Sequence, residues 1–484
     1  MKAVILKQNS LRLHLNYYLT PSLLVTVDFL AVSLAVWTAL FLRKCVLACT
    51  AEASTIALPE AALYLVLPTF YVSSIACADL YQRRQRFYQW AQQLFKITSC
   101  ICAAIIVAAY LLGMAETISR LFVALFWFAS FVALCSMRYF AKKLLLLAGI
   151  WQRPVIIVGA GKTAEILANT FEEDSGVGYK IVGFIEDDKS RPLLKKYPYL
   201  GGFQQVEEAV LQANVQDVIL ATPGLKRTEL VKLFYRIQPC VRNLIIVPDM
   251  FGVPVENSRI EILFKEKTLL VSTSNNLNRY SNRCIKRFFD LTIGTLLCVP
   301  ILPLLFVIAL LIKGDSPGSA MHIARRIGKY GELFSCYKFR TMYVNADDIL
   351  QKYLTENPEQ RQEWETYAKL RGYDPRVTRM GKWLRKYSLD ELPQLINVLK
   401  GEMSLVGPRP YLPREREKIG RYLPVIVLTV PGITGLWQVS GRNEISFTGR
   451  LQMDAWYVRN WSLWQDIVLL LKSVKVVLKR KGAY

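Results

Sequence analysis

The chain has 484 residues, 52% of them hydrophobic, and a formal charge of +23. That length suits two to four domains, and the composition is too apolar for an ordinary soluble enzyme. Only two histidines occur, His14 and His322. They leave almost no room for a histidine triad or a multi-histidine metal centre, so catalysis falls to carboxylates and arginines, with an oxygen-seeking divalent cation as helper.

Excess positive charge fits nucleic acid, anionic lipid or anionic small substrates. Here the basic residues cluster beside apolar runs, which favours a membrane face and disfavours a nucleic-acid partner. Part of the charge is topological. Ten cysteines show no metal-ligand spacing and read as small apolar residues. No short apolar run leads to a small-residue cleavage site near the start, so a retained anchor is expected rather than a cleaved signal.

Four apolar runs, at about 22–43, 58–80, 94–113 and 120–141, are long enough to span a bilayer. They predict an α-helical four-span bundle over 1–148. Lys2, Lys7 and Arg12 precede the first run. Arg83, Arg84 and Arg86 separate the second from the third, and Arg138, Lys142 and Lys143 close the fourth. This pattern puts the N-terminus and everything after residue 142 in the cytosol, although Arg43-Lys44 argues the other way. Asp28 and Asp79 read as helix-packing polar groups, with a transport path as the alternative.

Pro154–Val158 reads as a buried parallel strand, followed by Gly159-Ala160-Gly161-Lys162-Thr163-Ala164 and an amphipathic run to about Phe171. A second strand, Ile181–Ile185, ends in Glu186-Asp187-Asp188, where an acidic ribose ligand would lie. Further strands are expected at 217–221 and 244–247. These elements predict a Rossmann-like α/β domain over 149–277. Lys162 stands where the dinucleotide fingerprint is usually small or neutral, and a Tyr–Lys pair of reductase spacing occurs only at Tyr139–Lys143, on a membrane run. A fold kept for packing, regulation or a homodimer therefore competes with nucleotide binding.

The last domain, 278–484, is expected to be mainly α-helical. Its apolar run 291–312 has basic residues on both sides: Arg283, Lys286 and Arg287 before it, Lys313, Arg325, Arg326 and Lys329 after it. A crossing would put one flank on the wrong side. Pro300 and Pro303 lie near the middle and remove backbone donors. Together these features predict a re-entrant helix over 286–313, broken at the prolines; a kinked spanning helix is the alternative. The tail from Trp461 to Arg480 alternates apolar and basic residues, as an interfacial helix would.

Between them lie five segments dense in charge, glycine and proline. They are Tyr337-Lys338-Phe339-Arg340-Thr341-Met342, Asp374-Pro375-Arg376-Val377-Thr378, Ser388-Leu389-Asp390-Glu391-Leu392-Pro393-Gln394, Ser404-Leu405-Val406-Gly407-Pro408-Arg409-Pro410, and the stretch from Pro431 to Arg442. They supply guanidinium forks for phosphate, a carboxylate pair, and glycine turns that let a backbone approach a ligand. Arg385 lies five residues before Asp390 and converges on it if the intervening segment is helical.

In this order the segments resemble the polyprenyl-phosphate phosphoglycosyl transferases of the monotopic type, the bacterial sugar transferase family, over about Lys286 to Tyr484. The four spans and the glycine-motif domain look like the long members of that family. Leu436–Asn443 and Trp456–Trp461 resemble its galactose-specific branch more than its glucose-specific one. The resemblance implies transfer of a sugar 1-phosphate (galactose 1-phosphate, with glucose 1-phosphate as the alternative) from a UDP-sugar to undecaprenyl phosphate, releasing UMP. It implies a lipid bilayer around the chain, with the site on the cytosolic face of the bacterial inner membrane. The step would open O-antigen, capsule or exopolysaccharide synthesis.

Carried over residue by residue, the resemblance makes Asp390 the nucleophile that forms an aspartyl phospho-sugar, and gives Glu391 metal or proton management. Mg²⁺ would be held by Asp390 and Glu391. Arg385 and Arg409 would bind phosphate. Lys338, Arg340, Arg376 and Arg442 would bind phosphate or nucleotide-sugar, each being equally open to a structural ion-pair role. Two rivals remain. A tethered dehydratase or epimerase would need a full cofactor fingerprint in the middle domain. A membrane scaffold or regulator of polysaccharide assembly predicts that Asp390→Asn is silent.

Overall fold

The computed structural model describes residues 19–47, 59–114, 119–248, 259–263, 268–272, 276–361, 373–441 and 445–479. It divides into two compact units, Met1–Met250 and Phe251–Tyr484.

The first unit begins with apolar helices α1 (Thr20–Leu47), α2 (Leu67–Cys77, entered through a π turn at Ala62–Val66), α3 (Phe87–Leu111) and α4 (Arg120–Leu147). Helices α1, α3 and α4 are long and apolar enough to cross a membrane, which marks a membrane protein. The second apolar stretch, Ala62–Cys77, is shorter than the ~20 residues a hydrocarbon core asks for. Along α1, Ala31, Ala35 and Ala39 are fully buried, and small residues four apart allow close helix approach.

The Asp28 carboxylate on α1 accepts from Arg138 on α4 at 2.5 Å and 3.3 Å, with both side chains fully buried. Asp28 is thus a packing group. The same contact bears on the topology argument, in which Arg138 and Lys142 counted as charges closing the fourth apolar run. Both are buried, and Lys142 lies over Trp90 and Trp151 at 4.7 Å and 5.0 Å.

The α/β part of this unit holds strands β1 (Arg153–Val158), β2 (Tyr179–Ile185), β3 (Tyr199–Gly201), β4 (Asp217–Leu220) and β5 (Asn243–Ile246) in one parallel sheet of order β3-β2-β1-β4-β5. Helices α5 (Lys162–Glu173), α6 (Leu193–Lys196), α7 (Val206–Ala213) and α8 (Arg227–Ile237) connect the strands. Ile156 and Val158 join one apolar cluster, while Val155 and Ile157 join another. A strand covered on both faces in this way reads as an unbroken apolar run, which is why β1 was legible. Strand β3 was not, because three residues beside Pro198 and Gly201-Gly202 carry no period.

The second unit contains the hairpin β6 (Arg259–Leu263) and β7 (Thr268–Ser272), then α9 (Tyr280–Asp315), the antiparallel hairpin β8 (Met321–Ile327) and β9 (Leu333–Phe339), and α10 (Ala346–Glu356). Next come α11 (Arg379–Lys386), α12 (Gln394–Lys400), the parallel pair β10 (Ser404–Val406) and β11 (Gly432–Thr434), α13 (Phe447–Arg459) and α14 (Leu463–Lys479).

Helix α9 runs unbroken for 36 residues with Pro300 and Pro303 inside it, so the break expected at the prolines is not an interruption of the helix. Its inward stripe is Gly294, Cys298, Ile301, Leu305, Ile308 and Ile312, at helical spacing. Leu296, Val299, Leu302 and Phe306 are exposed between.

The two ends of α9 are anchored on the same domain. Near its start, Arg287 donates to the carbonyls of Val398 and Leu399 at the end of α12, at 2.6 Å and 2.8 Å, satisfying carbonyls a helix leaves unpaired. Asp290 accepts from Ser404 Oγ and Leu405 N. Near its end, Ile308 and Ile312 pack with Phe339 and Leu384. Helix α14 also differs from expectation. Asp466 and Leu469 are buried, so one face belongs to the core, and only positions such as Leu471 and Val474 face outward.

Candidate active site

The carboxylate pair sits on a short turn between two helices. Thr378 Oγ1 accepts from Gly381 N at 2.9 Å and caps α11. After α11 the chain passes through Ser388, at φ 55°, into a 3₁₀ turn, Leu389–Glu391. The helix that would have joined Arg385 to Asp390 is therefore interrupted. The turn, rather than helical spacing, lets the Arg385 charge act on Asp390. Arg385 Nε donates to Thr341 Oγ1 at 3.0 Å, which fixes its stem.

Lys338 on β9 reaches Glu391 Oε1 at 2.6 Å. Among the described residues no ion pair engages Asp390. Burial and then the neighbouring Glu391 charge push the Asp390 carboxyl above its ordinary range, while Lys338 and Arg385 pull it back. Among the described residues no group of three or more His, Cys, Asp or Glu side chains could hold a metal. Two adjacent carboxylates suit a cation that completes its shell with substrate phosphates, as Mg²⁺ does.

Arg409 is presented by the loop after β10. Gly407 N donates to Thr434 O at 2.9 Å and Gly432 N to Pro408 O at 2.8 Å. A Cβ on Gly432 would overlap the Gly407 backbone. Behind the loop, Asp454 Oδ2 accepts from Arg409 N at 3.2 Å and from Tyr411 OH at 2.8 Å. Burial pushes the Asp454 carboxyl up to about 7 despite those two donors. Gly432→Ala is expected to destabilise the protein by about 1–3 kcal/mol through this overlap and to lower transfer activity with it. Gly314→Ala, where a Cβ meets nothing within 4 Å, should do neither. Melting curves and rates of the two variants check this.

Not every candidate lies at the site. Arg340 is 8% exposed and its guanidinium holds Ser316 O, Ser316 Oγ and Pro317 O; it closes the end of α9 instead of facing a ligand. Arg376 forks onto Asp374 at 2.7 Å and 2.8 Å, the structural ion pair that the sequence left open. Arg442 lies outside the described residues. Lys338, Arg385, Asp390 and Glu391 do come together. Thr341 and Asp454, which position Arg385 and Arg409, were missed; a lone hydroxyl or carboxylate tens of residues from its partner leaves no local sequence signal.

In the other unit, the glycine turn is occupied from within. Glu186 Oε2 accepts from Ala160 N at 2.7 Å, and Oε1 accepts from Asp187 N at 3.0 Å. The carboxylate holds the donor that a nucleotide would use.

A family model described as bacterial sugar transferase matches residues 281–480, and one described as a CoA-binding domain matches 76–248. The chain is 33% identical over 436 residues to the undecaprenyl-phosphate galactose phosphotransferase of Salmonella typhimurium, covering 88% of this chain and 90% of that one. It is 34% identical over 434 residues to the UDP-galactose-lipid carrier transferase of Erwinia amylovora, with the same coverages, 88% and 90%. Against the UDP-glucose:undecaprenyl-phosphate glucose-1-phosphate transferase of Escherichia coli it is 31% identical over 344 residues, covering 69% and 70%.

In the glycine turn Glu186 already takes the Ala160 N–H, one of the donors an anionic phosphate would use. With the sugar transferase match lying over the carboxylate pair and the full-length relatives spanning both units, the chain belongs to the bacterial sugar transferase family.

Proposed function

We propose that the protein transfers a sugar 1-phosphate from a UDP-sugar to undecaprenyl phosphate and releases UMP, with galactose 1-phosphate the preferred group. The observation that carries this reading is Asp390: a half-buried carboxylate of raised basicity, with Arg385 and Lys338 near it and its neighbour Glu391 already paired.

An Asp390 oxygen attacks the β-phosphorus. The bond from that phosphorus to the bridging oxygen breaks, and the bridging oxygen leaves on UMP. A lipid phosphate oxygen then attacks the same phosphorus, and Asp390 departs as carboxylate. Two steps suit two anionic substrates, one in water and one in lipid, because each visits the site in turn. Arg385 and Lys338 offset the charge that builds on the phosphate oxygens. Mg²⁺, held by Asp390 and Glu391 together with the diphosphate, would supply further charge neutralisation.

The proposed location draws on α9. Both of its ends pack on one domain while its middle is apolar and exposed. This supports a helix that dips into the cytosolic leaflet of the inner membrane and returns, with Pro300 and Pro303 inside it. The site would then lie at the membrane surface, within reach of a lipid phosphate and a soluble donor.

The test is UMP release by the full chain in nanodiscs containing undecaprenyl phosphate and Mg²⁺, with UDP-galactose, UDP-glucose and UDP-N-acetylgalactosamine compared. Lipid-dependent release with UDP-galactose, abolished by chelation, is expected. Preference for UDP-glucose would overturn the galactose assignment, and no release with any donor would overturn the reaction.

A further inference from the structure

Two arginines outside the five segments crowd around Arg409. Arg326 pairs with Phe334 across the β8–β9 hairpin. The alternation of a strand puts it on the same face as Cys336 and Lys338, the face from which Lys338 reaches Glu391. Its Nη1 donates to Pro410 O at 3.2 Å, and its buried Nε has no partner among the described residues. Arg450, on α13, lies 4.8 Å from the Trp437 ring centre, and its Nε donates to Ile445 O at 3.1 Å. The Arg409 guanidinium lies 5.9 Å from the same indole. Trp437 is 7% exposed and its buried Nε1 has no partner among the described residues.

Among the described residues no carboxylate pairs directly with this cluster, and none of the three arginines forms a salt bridge. The carboxylates within electrostatic reach have other partners: Glu415 accepts from Leu412 N at 2.7 Å, and Glu391 holds Lys338. Asp454, on Arg409 N, is pushed up to about 7 and so carries only part of a charge near neutrality. Burial, and after it the Arg409 charge, lowers the Arg326 and Arg450 guanidiniums from their usual range. Three guanidiniums held together against their mutual repulsion, with donors unused, match an anion with several acceptor oxygens.

We propose that Arg326, Arg409 and Arg450 form one phosphate site beside Trp437, separate from the Asp390–Glu391 pair, that takes a phosphate monoester anion. Two molecules of the proposed reaction present that group, the nucleotide and the lipid carrier, and to this extent the inference rests on that reading. While Asp390 works on the reacting phosphorus, the triad holds the second phosphate in place.

The experiment uses the full chain in nanodiscs, titrated calorimetrically with UMP and, in a second arm, loaded with increasing undecaprenyl phosphate. Variants are Arg326→Gln and Arg450→Gln, with Arg326→Lys and Arg450→Lys keeping charge but losing the fork. Each Gln variant is expected to weaken phosphate binding about tenfold to a hundredfold, and each Lys variant to weaken it less. Loss in the UMP arm with the lipid KM unchanged assigns the site to the nucleotide, and the reverse assigns it to the carrier. Gln variants that melt like wild type and match it in both arms would overturn the proposal. If they melt lower, the Lys variants decide, and wild-type binding by both would overturn it too. UMP binding is read without turnover, so arginine-dependent UMP binding in a protein that transfers no sugar would sink the transferase reading and leave the site standing.

Discussion

Asp390→Asn is expected to abolish transfer, on the order of 10⁴-fold or more for loss of a nucleophile, without lowering the melting temperature. The two halves of this expectation share one cause. Burial and the Glu391 charge raise the Asp390 carboxyl above its unfolded value. The folded protein therefore holds that proton more tightly than the unfolded chain. Stability from this group falls as pH rises from the unfolded carboxylate value through the folded one. At neutral pH the ionised Asp390 is a cost, offset by Arg385 and Lys338, and the neutral amide removes it. Strain of this kind is common at reactive groups.

The same shift sets the pH dependence of the reaction. Attack needs the ionised form, so the acid limb of the rate profile should lie above the ordinary aspartate range. A profile of kcat/KM against pH checks it. A fully active Asp390→Asn protein would remove Asp390 from the role of nucleophile.

The second large effect is on stability. Lys286 on α9 and Asp466 on α14 pair at 2.7 Å, with side chains 6% and 1% exposed. Lys286 also donates to Val406 O at 3.0 Å, while Asp466 accepts from Tyr457 OH at 2.7 Å and Trp461 Nε1 at 2.9 Å. Removing one partner leaves a buried charge alone, at about 3–5 kcal/mol. Lys286→Met and Asp466→Leu should therefore each melt well below wild type.

The double variant should recover much of the loss, because neither charge is then stranded. Recovery should stop short of wild type, since Trp461 Nε1 loses its acceptor, at about 1–3 kcal/mol. A double variant as unstable as the two singles summed would mean the residues act independently. The network ties the start of α9 to β10, the strand that leads into the Arg409 loop, so activity should fall in both single variants.

The fold was legible where local patterns suffice. Apolar length marked the long helices of the first unit, unbroken apolar runs marked β1, β2, β4 and β5, and the glycine turn fell where β1 meets α5. The pair Asp390-Glu391 stood out because almost no histidine competes with it and because a turn sequence surrounds it. Charge, by contrast, was not resolved by the sequence where it turned inward. Arg138 and Lys142 were counted as charges closing the fourth apolar run, and Arg340 and Arg376 were open to either a phosphate or a structural ion pair. Their partners, Asp28, Trp90, Ser316 and Asp374, are met only through helix packing or turns.

By itself the sequence determined which chemistry is available: two carboxylates, a surplus of arginines, long apolar helices and a parallel α/β domain. Those depend on residue type and on periods of two and 3.6, which are local properties. Tertiary structure decided which arginines remain open to a ligand. A guanidinium is free or satisfied according to the carbonyls and carboxylates within about 3 Å of it, and these come from distant points of the chain. Arg326 and Arg409 are 83 residues apart in number and come near each other where Arg326 Nη1 and Ile327 N bond the Pro410 and Tyr411 carbonyls. Glu186 similarly closes the glycine turn from the next strand.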